Sequence, residues 1–98
     1  MAYEVIINKR FTIKLLNILE YIEKEFGTKV AQDFLSRVRT RIYALKSHPY
    51  IGSLTSLKNV RSTSVTKHNR LYYRIARNKI IILNLYDTRS KKYGKLVS

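Results

Sequence analysis

Near Lys58 the apolar residues change their spacing, and that change limits the fold of this chain more than any other feature. Before it they recur mainly every three or four positions; after it they tend to alternate. A helical period of 3.6 thus gives way to a strand period of two. In the first half, Phe11, Leu15, Ile18, Leu19, Ile22 and Phe26 mark one helix face, with Glu and Lys between them. Gly27 is a natural C-terminal cap for that helix, and Thr28 is placed to cap a second. The second apolar stripe is Ala31, Phe34, Leu35, Val38, Ile42 and Leu45, with Arg37, Arg39, Arg41 and Lys46 outside it. Pro49 in "SHPYIGS" cannot continue a helix. The two helices therefore form a hairpin with a very tight connection.

Four segments read as strands. "YEVII" at 3–7 is short and β-rich; "NVRSTSVTK" (59–67), "RLYYRIA" (70–76) and "KIIILNLY" (79–86) follow the helices. The last has no clean alternation, as expected of a central strand buried on both faces. The expected order is β-α-α-β-β-β, an α+β chain with the helical hairpin on one face of a mostly antiparallel four-stranded sheet. His68–Asn69 and Arg77–Asn78 are the expected hairpin turns, each with an Asn suited to positive φ. A two-residue turn at 68–69 pairs Lys67 with Arg70, Val65 with Tyr72 and Thr63 with Arg74. Arg61, Lys67, Arg70, Tyr72 and Arg74 would then share one face, with Leu71, Tyr73 and Ile75 turned toward the helices.

Ninety-eight residues, 45% of them apolar, make one domain with one modest core. No run of about 18 apolar residues is present to span a membrane. The N-terminus lacks the pattern of a signal peptide, so the cytoplasm is the expected compartment. With no Cys there is no disulfide framework and no thiol nucleophile. Two His and six carboxylates leave little for a metal site, and neither a metal nor a cofactor is expected. The net charge of +14 is unevenly placed: residues 1–33 hold five Lys/Arg and five acids, residues 34–98 fifteen and one. Solubility needs a net charge of only about 2–8, so polyanions are the expected partners, nucleic acid first and an acidic protein second.

The two His are 20 positions apart and neither has a carboxylate pattern suggesting a triad. No Gly-rich phosphate loop is present. What remains is a cationic sheet face bearing tyrosines. Metal-independent RNA cleavage needs a base for the 2′-hydroxyl, cations for the charge on phosphorus and an acid for the leaving oxygen. Arg offers a forked donor set for phosphate, and Tyr can stack on bases. Lys67, crowded by Arg61, Arg70 and Arg74, would be a proton-transfer candidate through like-charge repulsion, and His68 through its ordinary pKa. Structural roles compete with these. Arg61 could brace the sheet against Asp87, Tyr72 and Tyr73 could pack rather than stack, and Asp87 could orient Arg89. A basic protein that merely binds nucleic acid would show the same composition.

The stretches "YEVI", "LLNILEYIEKEFG", "LKSHPYIGS", "NVRSTSVTKHNRLYYRI" and "IIILNLYDTRSKKYGKL" together resemble the RelE/ParE superfamily of type II toxin–antitoxin toxins, also known as plasmid stabilisation proteins. The resemblance runs nearly end to end over residues 1–98, and "VR…KHNRLYYRI…LYDTR" is its most specific part. It implies the same β-α-α-β-β-β fold and a cognate antitoxin as partner. It also implies one of two activities. RelE-like members cut mRNA on the ribosome; ParE-like members inhibit DNA gyrase without nuclease activity. The first is the leading expectation here. By that resemblance Arg70 and Arg89 would stabilise the transition state, with Tyr93 after the last strand to orient the substrate. Lys67 or His68 would move protons, because no Glu lies near the second strand to act as the base of a YoeB-like toxin and Asn59 and Ser62 cannot fill that role. Arg61, Tyr72, Arg74, Lys91 and Lys92 would contact nucleic acid.

Overall fold

Asn8 ends the first strand and starts the first helix. Its side chain accepts a hydrogen bond from the Arg10 amide at 2.7 Å, satisfying one of the free N–H groups of the first turn. The computed structural model describes residues 3–89, and the elements run β1 (Glu4–Ile7), α1 (Lys9–Phe26), α2 (Thr28–Ser47), β2 (Ser53–Leu54), β3 (Val60–Thr66), β4 (Asn69–Ala76) and β5 (Lys79–Asp87). Gly27 alone joins the helices. Its φ of 97° lies in the region that favours glycine, and its amide donates to the Glu23 carbonyl at 3.0 Å. The N-cap of α2 is Gly27 rather than Thr28. Thr28 is the first helical residue, and its hydroxyl donates to Glu23 Oε2 at 3.1 Å.

The sheet has five strands, in the order β1-β5-β4-β3-β2, and is mixed: β1 runs parallel to β5 and the other pairs are antiparallel. The added strand, β2, is two exposed residues long, too short to show alternation. It forms because Ser53 and Leu54 pair with Ser62 and Arg61 of β3. The helical hairpin lies on one face, α1 against β5 and α2 against β3 and β1. Phe11, Phe34, Val38 and Leu45 from the helices meet Val65, Leu71, Tyr73, Ile80, Ile82 and Leu85 from the sheet. Phe26, placed on the α1 stripe by its spacing, is 63% exposed.

The β3–β4 register differs from the expected one. The turn residues are Lys67 and His68, because Thr66 pairs with Asn69, and Val65 is an extra residue between the Ser64–Arg70 and Thr66–Asn69 pairs. Moving the turn leaves the faces unchanged, but one bulged residue reverses them for everything upstream. Arg61 therefore pairs with Tyr73 and leaves the face of Arg70, Tyr72 and Arg74. A second irregularity, at Leu83, sets Asn84 opposite Tyr72 and Ile82 opposite Tyr73. At the other hairpin the turn is Arg77–Asn78 as expected, but the positive φ, 59°, falls on Arg77 rather than on the Asn.

Candidate functional site

The sheet face away from the helices is floored by polar and aromatic groups. Tyr72, 2% exposed, stands edge-on to Tyr86 with ring centroids 5.5 Å apart. Asn84 Nδ2 donates to the Tyr86 hydroxyl at 2.9 Å. Lys14 of α1 holds its ammonium 5.5 Å from the centre of the Tyr86 ring, within the range of a cation–π contact. Tyr86 lines two grooves against α1. One, of about 530 Å³, is bounded by Lys9, Arg10, Lys14 and Asn84; the other, of about 420 Å³, by Tyr21, Phe26, Asp87 and Arg89. Lys14, Asn84 and Tyr86 are absent from the candidates chosen by sequence. The Asn inside the apolar run "IIILNLY" was the available signal, since a polar residue in a central strand needs a reason.

The predicted residues are only partly brought together. Arg70 and Arg74 do share this face with Tyr72. They are four residues apart on β4, about 13 Å by strand rise. The Arg70 side chain crosses to β3, where Nε donates to Ser62 Oγ at 3.1 Å and Nη2 to the Ser62 carbonyl at 3.2 Å. Arg89 lies beyond the end of β5 and forms a forked pair with Asp87, Nε to Oδ1 at 3.0 Å and Nη2 to Oδ2 at 2.8 Å. That pair holds the Asp87 carboxyl down at about 2. Asp87 thus orients Arg89, one of the roles its position suggested. His68 is half-buried beside it, and its carbonyl accepts from the Thr88 amide at 2.7 Å, which ties the β3–β4 turn to the end of β5.

Two candidates are displaced. Lys67 is exposed in the turn, and the cluster of cations meant to crowd it is not assembled, because the Val65 bulge sends Arg61 to the opposite face. Arg61 is a bracing residue. Its Nη1 donates to the Gly52 carbonyl at 2.8 Å and its guanidinium lies 4.9 Å from the centre of the Tyr50 ring, so its partner is the loop before β2 and not Asp87. Tyr73 is fully buried, and burial pushes its hydroxyl up, keeping it protonated. Tyr93, Lys91 and Lys92 lie outside the described residues. Among the described residues no group of three His, Cys, Asp or Glu could hold a metal ion, and no helix is long and apolar enough to cross a membrane.

A tight helical hairpin on one face of a mixed sheet is a fold this chain shares with RelE/ParE superfamily toxins of type II toxin–antitoxin systems. A family model described as the ParE toxin of the type II toxin–antitoxin system parDE matches residues 5–91, and the chain belongs to that family. No curated protein matches it. Among solved structures, the chain is similar to one of the chromosomal ParDE system of P. aeruginosa, at 13% identity and a TM-score of 0.77, covering 88% of this chain and 96% of that one. A mutant of the E. coli toxin RelE in the free state gives 12% identity and a TM-score of 0.64, covering 99% and 95%. The RelBE2 toxin–antitoxin complex of Mycobacterium tuberculosis gives 16% and 0.63, covering 89% and 99%. At such identities the likeness is one of fold, and a shared fold does not choose an activity.

Proposed function

We propose that this toxin acts by gripping a macromolecular target rather than by cutting RNA, as a ParE-like inhibitor of DNA gyrase. The observation that carries this is the direction of two guanidiniums. Arg70 turns across β4 to Ser62 on β3, and Arg89 turns off the end of β5 to Asp87. A nuclease using both would stabilise transition-state charge best with the two donors already aimed at one phosphate. Each of them instead serves an acceptor of its own chain. The grooves that Tyr86 lines against α1, with Arg74 exposed on the same sheet face, offer a surface for docking. A cognate antitoxin, acidic where it meets the +14 chain, is the second partner we propose, and the cytoplasm is the compartment both partners require.

The nuclease reading keeps one specific support. His68, Asp87 and Arg89 meet at one end of the sheet, an imidazole beside an oriented guanidinium. One paired assay decides between the two. The toxin is added to a gyrase supercoiling reaction and, separately, to ribosomes programmed with mRNA. Inhibited supercoiling with intact message is expected. Message cut at codon-positioned sites, with cleavage abolished in folded Arg70→Ala and Arg89→Ala variants, would reverse the assignment.

A further inference from the structure

We infer that the groove between α2 and the end of β3 is a second binding site, one that takes a phosphate of a nucleic-acid backbone. It lies on the helical side of the sheet, away from the face described above, and it stands whichever target that face takes. The groove holds about 290 Å³ and is lined by Ser36, Arg37, Thr40, Arg41, Ala44 and Val65. Ala44 and Val65 are its apolar lining. Val65 is there because the bulge gives β3 one residue more than its partner. The four polar residues come from two successive turns of α2, each turn contributing one hydroxyl and one guanidinium.

Three observations point to an oxyanion. Every polar side chain lining the groove can donate a hydrogen bond, and none is a carboxylate. Among the described residues, the side chains of Ser36, Arg37, Thr40 and Arg41 make no hydrogen bond or ion pair; Arg10, Arg39, Arg74 and Arg77 are likewise unpaired, but here two such guanidiniums and two such hydroxyls line one groove. Two arginines one turn apart repel each other and slightly destabilise a helix, a repulsion that a bound anion would offset. The charge of the hairpin is also lopsided. Helix α1 carries four cations and three acids, α2 five cations and one acid. That acid, Asp33, is exposed one turn before Arg37, without an ion pair to it.

A phosphate suits the set better than a peptide carboxylate. Two forks and two hydroxyls can meet the oxygens of a tetrahedral phosphate from several sides, whereas a carboxylate holds its acceptor sites in one plane. A backbone phosphate also brings a sugar, which the Ala44–Val65 lining can meet.

The test is binding of a short labelled oligonucleotide followed by fluorescence anisotropy over a salt series, with a parallel titration of inorganic phosphate followed by amide and arginine Nε NMR shifts. Wild-type protein is expected to show phosphate shifts confined to Ser36–Ala44 and the facing end of β3. The R37Q/R41Q variant is expected to lose at least tenfold in oligonucleotide affinity, with the salt slope reduced by about 1. The R37K/R41K variant, which keeps charge and loses the forks, is expected to keep the slope and lose affinity. Unchanged affinity and slope in R37Q/R41Q would overturn the site. Wild-type behaviour of R37K/R41K would overturn the forked geometry. Competition by polyglutamate as strong as by unlabelled oligonucleotide would overturn the phosphate assignment. Arg37 is exposed, so R37Q alone supplies the reading should the double variant not fold.

Discussion

Tyr73 stands on the core face of β4, and its hydroxyl is sealed between two backbone groups of the loop after α2. It donates to the Pro49 carbonyl at 2.7 Å and accepts from the Gly52 amide at 3.0 Å. Gly52 is there because nothing larger fits: a Cβ would lie 2.5 Å from the Tyr73 oxygen and 2.8 Å from the Ser62 carbonyl. Arg61 closes the same knot by donating to the Gly52 carbonyl. Replacing Tyr73 by Phe keeps the ring but strands a buried donor and a buried acceptor. The expected loss is about 1–3 kcal/mol, read as a lower denaturant midpoint at unchanged slope; no change would mean that water replaces the hydroxyl. Of this knot, the sequence showed only that Tyr73 points toward the core, which alternation settles. That its hydroxyl and the Arg61 guanidinium both serve a loop some twenty and nine positions upstream is a contact no local pattern carries.

At the scale of elements, the strands and helices follow their apolar periods, and the departures lie where chain geometry is locally strained or locally irregular. Arg77 takes a φ of 59° in the β4–β5 turn, a conformation that costs an L-residue about 1–2 kcal/mol. Glycine there would relieve the strain, partly offset by the freedom it adds to the unfolded chain. Arg77→Gly is expected to raise stability by up to about 1 kcal/mol, seen as a higher melting midpoint. A lower midpoint would show that the arginine side chain contributes a contact worth more than the strain. The β3–β4 hairpin shows the other kind of departure. Val65 has the composition of any strand residue, so a reading by alternation counts it as paired; the fold leaves it as the extra residue of a bulge. The two-residue β2 was illegible for a different reason: it is a strand only by pairing, with neither length nor pattern of its own.

At the scale of the whole molecule, charge dominates. The chain carries +14, and among the described residues the pair between Arg89 and Asp87 is the one ion pair present. Most of the cations therefore repel one another across a small body, and the compact state bears that cost. Salt screens it, with a Debye length of about 10 Å at 0.1 M. Melting midpoints are thus expected to rise between roughly 0.02 and 0.3 M sodium chloride, measured by circular dichroism with no binding partner present. A flat response would mean that the cations are already far enough apart to ignore one another.

By itself the sequence determined the class of fold, the helical hairpin and its glycine joint, the place of β5 inside the sheet rather than at its edge, the positive charge and the resemblance to RelE/ParE toxins. All but the resemblance, which rests on matched stretches such as "KHNRLYYRI" and "LYDTR", follow from periodicity and composition, which are additive along the chain and survive errors of a residue or two. The tertiary structure decided which cations share a face. Strand side chains alternate with a period of two, so a single bulged residue reverses every face beyond it. Val65 does this to Arg61. The same residue lines the groove where Arg37 and Arg41 meet. Whether a basic residue braces a loop, faces a target or lines a groove depends on that parity, and parity is set by packing and turn geometry rather than by residue type.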